Sequence, residues 1–251
     1  MVGASAGGVD ALIHLVRDLP HDFPAPVCVV LHIPADAPSL LAHILNREGN
    51  LPAKNAEHGE RYERGRLYGA PPDRHLLVAN DGTLHVMRGP RENRHRPSVD
   101  PLFRSAALVF GRRAIGVVLS GSLDDGTSGM MAIKQSGGIG VAQDPKDALY
   151  PSMPSSAIAH AQIDHIVPVA AMGQLLATLV TQDPPEGVAA RRPDLEMETR
   201  MAELDGDALA QDERPGHPSP YSCPECGGVL WEIKDEHFIR YRCRVGHAYS
   251  P

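Results

Sequence analysis

Aromatic residues make up only 4% of the 251-residue chain, with a single Trp, so any core must be assembled from Ala, Val, Leu and Ile. No apolar run approaches the roughly 20 residues that a membrane-spanning helix needs, so membrane insertion is not expected. There is no charged leader followed by an apolar stretch and a cleavage site, which argues against secretion. Four Cys are too few for a disulfide framework and point to a reducing, cytoplasmic compartment. Positive charge is also in short supply. With 24 Lys+Arg against 31 Asp+Glu, a net charge of -7, no nucleic-acid footprint is expected over the surface. What is present is 42% hydrophobic residues, enough for a real core, which excludes global disorder. At roughly 150 residues per domain, the length suits one large domain plus a small one.

Composition changes twice along the chain. Up to about Val180, apolar runs alternate with stretches of helical periodicity. Pro26 to Ile33, Ala114 to Ser120 and Gly138 to Gln143 are short and β-branched, as buried strands of a parallel sheet are. Val9 to Leu19, Pro38 to Asn46, Val99 to Val109, Ser128 to Gln135 and Ala170 to Leu179 carry apolar residues at helical spacing. The alternation predicts an α/β fold, a doubly wound, mostly parallel sheet with helices on both faces. His75 to Ala79 and Thr83 to Met87 flank Asn80-Asp81-Gly82, a hairpin signal. The chain opens on Met1-Val2-Gly3, where a strand-to-helix turn is due, so the first strand is expected to be nearly absent or truncated. Residues 181–220 are charged, apolar-poor and rich in Pro, and read as a linker with a short helix around Leu195 to Leu204. Residues 221–251 hold three of the four Cys and read as a separate small module, leaving 1–180 as the main domain.

Three constellations carry chemistry in the first 180 residues. Gly3-Ala4-Ser5-Ala6-Gly7 satisfies G-x-S-x-G, a serine on a sharp turn between strand and helix. The plainer alternative is a Gly-rich turn that binds phosphate or merely packs tightly. A Walker A loop is excluded because no Gly-Lys-Ser/Thr follows, and the dinucleotide spacing is missing. His32 ends the Pro26 to Ile33 run, where open α/β sheets gather catalytic groups. Ser120 to Gly129 follows another strand and offers Asp124 and Asp125 to orient an imidazole, although an N-capping Asp beside a turn glycine is also common. Ser, His and Asp at three separate strand ends favour a serine hydrolase. Their chain order, Ser…His…Asp, is not that of an α/β-hydrolase.

These residues stand in stretches that resemble the catalytic domain of the chemotaxis protein-glutamate methylesterases, the CheB family. The stretches are Val2 to Gly8, Val30 to Pro34, Ala70 to Leu76, Arg94 to Phe103, Leu119 to Gly126 and Met153-Pro154. The resemblance implies a serine hydrolase in chemotaxis signalling that demethylates glutamate methyl esters of chemoreceptors, with glutamine deamidation at the same sites in many members. It implies Ser5 as nucleophile, His32 as general base and Asp125, which directly precedes the loop glycine, as the orienting carboxylate. The backbone of Ser122 takes the oxyanion-holding position, and no cofactor is implied for catalysis. Arg96, Ser98, Asp100 and His75 border the cleft or anchor its loops. Regulated members carry a receiver domain before the catalytic domain. This chain opens at the catalytic domain, so the expectation is activity unregulated by phosphorylation, control by other means, or a non-chemoreceptor substrate.

The last residues follow their own spacing. Cys223-x2-Cys226-x16-Cys243-x3-His247 is a closed set of three thiolates and one imidazole, which predicts a structural Zn2+ in a ribbon-like module. His237 competes as fourth ligand but falls in an expected strand from Glu236 to Tyr241. Cys28 lies inside an apolar run and reads as a small buried hydrophobe. Aromatic and basic residues in the module suit a ribbon core with a solvated rim, and docking to a protein partner is preferred over nucleic acid. The expected partners are methylated cytoplasmic helices of chemoreceptors or another signalling protein. Two alternatives stay open: a related serine esterase or amidase with another substrate, and a non-catalytic adaptor.

Overall fold

The computed structural model describes residues 1–184, 193–204, 216–235 and 238–250. The main unit runs β1 (Val2–Ala4), α1 (Gly8–Asp18), β2 (Val27–Leu31), α2 (Leu41–Glu48), β3 (Ala53–Asn55), β4 (Leu67–Gly69), β5 (His75–Val78) and β6 (Leu84–Met87). It continues with α3 (Val99–Phe110), β7 (Ile115–Val118), α4 (Thr127–Gln135), β8 (Ile139–Gln143), α5 (Ser152–His160), β9 (His165–Val167) and α6 (Val169–Leu179). Seven strands form one sheet in the order β3-β4-β2-β1-β7-β8-β9, every neighbouring pair parallel. β5 and β6 form the expected antiparallel hairpin outside it.

Alternation in β2 explains the two-sided cover. Val27, Val29 and Leu31 point to one face and join Leu12, Leu15, Leu45 and Met172 from α1, α2 and α6. Cys28 and Val30 point to the other and join Phe103, Met130 and Ala157 from α3, α4 and α5. A strand buried on both faces must be apolar at every position, which is why Val-Cys-Val-Val-Leu is legible as one. Burial pushes the Cys28 thiol up to about 12, so it stays a neutral core atom.

β1 is only three residues long, yet it is central. Val2 pairs with Val29 on one side and Val117 on the other. Gly3 is there because α3 presses on the strand: a Cβ at Gly3 would collide with Cγ1 of Val99 and lie 2.7 Å from its Cγ2. Gly3→Ala should therefore cost about 1–3 kcal/mol through overpacking, read as a lower denaturant midpoint at constant slope. An unchanged midpoint would mean that α3 moves aside freely.

The remaining elements are α7 (Pro193–Ala202) and an antiparallel sheet of β10 (His217–Ser222), β11 (Val229–Asp235), β12 (Phe238–Cys243) and β13 (Ala248–Tyr249), in that order. α7 falls where a short helix was expected and buries Leu195, Met201 and Ala202. β10 takes in residues 217–220, which read as linker because of Pro218 and Pro220. A strand at a sheet edge tolerates proline, since its missing N–H would face away from the ladder. β10 is that edge strand.

Candidate active site

From β1 the chain lays β2, β3 and β4 on one side of the sheet, then β7, β8 and β9 on the other. The sheet order therefore reverses between β1 and β7, and the crevice beyond the carboxyl ends of these strands is the place where open α/β sheets bind ligands. Ser5 follows β1, His32 follows β2, and Asp125 stands in the loop after β7. The parallel ladder runs on into these loops. Ser5 N–H donates to Ser120 O at 3.0 Å, and His32 N–H donates to Ala4 O at 3.1 Å. Gly7, at φ 70°, turns the chain into α1, and a Cβ there would lie 2.8 Å from Ser120 Oγ. The side chain of Ser120 holds the same turn by donating to Ala6 O at 2.8 Å.

Ser5, His32 and Asp125 are brought together. Ser5 Oγ lies 3.0 Å from His32 Nδ1, and His32 Nε2 lies 2.6 Å from Asp125 Oδ2. The imidazole with its proton on Nε2 donates to the carboxylate and leaves Nδ1 free to accept the serine proton. In the chymotrypsin-type triad the two nitrogens have the opposite assignment, and the same proton path results. Asp124, the alternative acid, faces elsewhere and accepts from Ser250 Oγ at 2.7 Å.

Asp125 is held on every side. Val99 N–H donates to Oδ2 at 2.7 Å, while Ser98 Oγ, Asn93 Nδ2 and Gly126 N–H donate to Oδ1 at 2.8, 2.9 and 3.0 Å. Burial alone would raise its pKa, but the His32 hydrogen bond and charge, with the Val99 and Asn93 donors, hold it well below the usual carboxylate range. Asp125 also faces the amino end of α3, where the helix dipole favours negative charge. Neighbouring Asp100 behaves oppositely. Its burial and the charge of Asp125 push it up, so the pair carries one negative charge more readily than two.

Two residues in contact with the triad were not singled out in the sequence. Asn93 bridges Asp100 and Asp125, donating to each at 2.9 Å. The His95 ring stacks on His32, centroids 3.7 Å apart and planes 11° from parallel. Burial and the charge of His32 lower His95 to about 4, so it covers His32 as a neutral ring. The motif from Arg94 to Phe103 was the available signal for His95, with Asn93 just before it, but nothing local distinguishes a loop residue that touches the site from one that only supports it. His75 and Arg96 have the anchoring geometry. His75 is fully buried, with Nε2 2.8 Å from Pro90 O and Nδ1 accepting Ser98 N–H at 3.2 Å. Arg96 pairs with Asp73 at 2.5 Å.

Ser122 is exposed on the loop beyond Gly121, where a Cβ would lie 2.9 Å from that of Ser5. Among the described residues the N–H groups of Ala6 and Ser122 have no protein acceptor. Exposed Leu123 stands on the same loop, and exposed Leu149 and Tyr150 on the loop between β8 and α5, where Tyr150 O accepts Gly121 N–H at 2.9 Å. A cavity of about 440 Å³ lies at the opposite, amino end of the strands, lined by Met1, Phe23, Tyr62, Phe110 and Leu179, and contains none of these residues.

A second cluster lies in the C-terminal sheet. The ligand atoms of Cys223, Cys226, Cys243 and His247 are all within 4.8 Å of one another, and none of these Cys is in a disulfide. His247 Nδ1 is 3.6 Å from Cys223 Sγ and 3.5 Å from Cys243 Sγ, and Cys226 and Cys243 Sγ are 3.6 Å apart. Tetrahedral zinc with its usual bond lengths would separate such atoms by about 3.6–3.8 Å, so the donor set fits the ion. Glu225 faces the other ring nitrogen of His247 at 3.8 Å, as outer-shell carboxylates do. The competing ligand, His237, lies outside the described residues.

Between the two sites is a buried ionic cluster. Glu92 takes both oxygens to Arg104 at 2.6 and 2.7 Å and to Arg242 at 3.1 Å each. Glu198 on α7 takes Arg240 at 2.5 Å and Arg242 at 2.9 Å. Burial opposes the charged form of both glutamates, yet the surrounding guanidiniums hold them below the ordinary carboxylate range. A carboxylate with a depressed folded pKa stabilises above its unfolded value and loses that contribution as pH falls through the folded one. Stability should accordingly fall as pH drops below about 4.3, the unfolded value for Glu, and urea midpoints at pH 6 and 3.5 measure it. Equal midpoints would contradict the ionised assignment.

The family described as CheB methylesterase matches residues 1–176. Protein-glutamate methylesterase/protein-glutamine glutaminase 1 of Geobacter metallireducens is 40% identical over 179 residues, covering 70% of this chain and 49% of that protein. The protein of the same name from Cupriavidus metallidurans is 42% identical over 185 residues, covering 72% and 52%. The chain thus spans about half the length of these relatives. A putative protein of this kind from Leptospira interrogans is 37% identical over 179 residues, covering 71% of this chain and 93% of its own length. The crystal structure of the Thermotoga maritima CheB methylesterase catalytic domain superposes with a TM-score of 0.68 at 34% identity, over 71% of this chain and 96% of that one. With the serine, histidine and aspartate motifs standing at the strand ends of that fold, the chain belongs to the CheB methylesterase family.

Proposed function

We propose that this chain is a protein-glutamate methylesterase acting on methylated chemoreceptor helices in the cytoplasm, with a C-terminal module held by a structural zinc ion. The observation that carries the catalytic reading is the unbroken line from Ser5 Oγ through His32 to the buried Asp125 carboxylate. The names of the relatives supply the substrate class. His32 Nδ1 takes the Ser5 proton as Oγ attacks the γ-carbonyl of the methyl ester. The oxyanion that forms is held by backbone N–H groups, for which Ser122 and Ala6 are the candidates. Methanol leaves with the proton from the imidazolium, and a water activated by His32 then hydrolyses the acyl-enzyme to glutamate. Glutamine would follow the same path with ammonia as the leaving group.

Exposed apolar side chains around Ser5 suit a protein substrate better than a small polar one. No helix among the described residues is long and apolar enough to cross a membrane. Catalysis draws on residues 1–180. Cys223, Cys226, Cys243 and His247 would hold the zinc, which would stabilise a module too small to fold unaided.

Receptor fragments carrying glutamate γ-methyl esters provide the test. Incubation with the purified chain should release methanol, stoichiometric with the esters, and a fluorophosphonate should block it. Release from small carboxylic esters but not from the receptor fragment would overturn the substrate class. Metal analysis of protein purified without chelators should find about one zinc per chain.

A further inference from the structure

The backbone hydrogen bonds between the C-terminal sheet and the main unit fall at the start of one short segment, residues 91–96, beside the apolar contact of Phe238 with the main core. Ala248 of β13 donates its N–H to Arg91 O at 3.2 Å and accepts Asn93 N–H at 2.8 Å, a parallel bridge opposite Glu92. The Glu92 carboxylate is tied to Arg242 of β12 as well as to Arg104 of α3. A further contact, Ser250 to Asp124, reaches the residue beside the triad aspartate. The other side of the same segment touches the triad, through Asn93 on Asp125 and His95 on His32. Asn93 and Arg94 have φ values of 50° and 68°. Two successive non-glycine residues in the left-handed region persist only where outside partners hold them.

Those partners are neighbours of the metal ligands. Arg242 precedes Cys243, and Ala248 follows His247. An ion gathering the four ligands would fix the turn between Cys243 and His247, and with it both anchors. Beyond its ladder and the ionic cluster, the apolar packing inside this sheet is small, since Phe238 goes into the main core instead. The sheet's hydrophobic cluster is Cys223, Leu230, Cys243 and Tyr249, and two of these four are themselves ligands.

We propose that residues 91–96 are a strap through which the metal-loaded module holds the triad, with Asn93 as a positioning residue for Asp125. The proposal rests on the esterase reading only for its consequence in turnover. With metal bound, Ala248 and Arg242 keep the strap in its left-handed turn, and Asn93 keeps a donor on Asp125 while His95 covers His32. Without metal, the strap loses both anchors, and the His32–Asp125 hydrogen bond loses its neighbours on that side.

Four forms of the full chain test this: as purified with zinc, after chelation, Asn93→Ala, and Arg242→Met, which cuts the links to Glu92, Glu198 and Gly246 O without removing a ligand. Hydrogen exchange at residues 91–96 and the low-field NMR signal of the His32 Nε2 proton are read in each. Chelation should speed strap exchange about tenfold or more and broaden the His32 signal, while β1, β2 and β7 stay protected. Zinc should restore both. Arg242→Met should speed strap exchange and broaden the His32 signal as chelation does, at unchanged zinc content. Asn93→Ala should lower kcat with KM unchanged and shift the His32 signal, again with zinc retained. Unchanged strap exchange on chelation, protection of the strap in protein that holds no metal, or loss of protection across the whole sheet would each overturn the proposal. Exchange and NMR need no turnover. A protein that releases no methanol but loosens its strap on chelation would refute the esterase reading and leave the strap standing.

Discussion

Ser5→Ala should abolish covalent labelling by a fluorophosphonate and lower kcat for ester hydrolysis about 10⁶-fold, because among the described residues no other hydroxyl is placed against His32 Nδ1. The change removes one half-buried hydroxyl hydrogen-bonded to His32 Nδ1, so urea unfolding should hardly move. Asp125→Asn should be less severe in rate, about 10⁴-fold, but more damaging to the fold. An amide at residue 125 places its NH2 either on the Oδ2 side, against Val99 N–H and His32, or on the Oδ1 side, against Asn93 Nδ2 and Gly126 N–H. Both orientations set donor against donor. With the amide group donating to Nε2, the ring proton shifts to Nδ1 and blocks the site that must accept from Ser5. Labelling that persists at full rate in Ser5→Ala would remove Ser5 as nucleophile, whatever the substrate.

Glu92→Ala should cost about 3–5 kcal/mol, since it leaves the Arg104 and Arg242 side chains, only 2% and 3% exposed, without their shared carboxylate. The cluster as a whole is balanced: Glu92, Glu198 and Asp235 face Arg104, Arg240 and Arg242. Its members come from the main unit, α7 and β11–β12, so the loss should separate one unfolding transition into two, the first belonging to the C-terminal sheet. Calorimetry reads both the loss and the splitting. Replacing Glu92, Arg104 and Arg242 together by apolar residues of similar volume should recover much of the stability, because the desolvation cost goes with the charges. A single transition at the parent temperature in Glu92→Ala would show that the cluster contributes little.

The main fold was legible where one physical cause dominates. Val27–Leu31 must be apolar throughout because both its faces are covered, and Asn80-Asp81-Gly82 must turn. Ser5 and His32 could be found because strand ends in a parallel sheet are marked by where apolar runs stop. Asp124 and Asp125 could not be told apart from the residues themselves, and resemblance to the family separated them. Contacts such as Glu92 to Arg242, 150 residues apart, leave no periodic trace in either partner. Asn93 and His95 lie in a loop whose shape is imposed by those distant partners. Pro218 and Pro220 misled for a related reason, since proline signals a missing donor without saying whether the chain there is free or lies along an edge.

The two edges of the C-terminal sheet have a bearing on how this protein meets other copies of itself. An open edge is a row of unpaired donors and acceptors that a second chain can extend. β10 carries prolines at 218 and 220, which cannot donate, and β13 is only two residues long and already paired with Glu92 and its neighbours. One edge is blunted by composition and the other is capped by the strap. Detached from the strap, β13 would offer its hydrogen bonds to another molecule, so anything that lifts the sheet from the main unit also raises the tendency to aggregate.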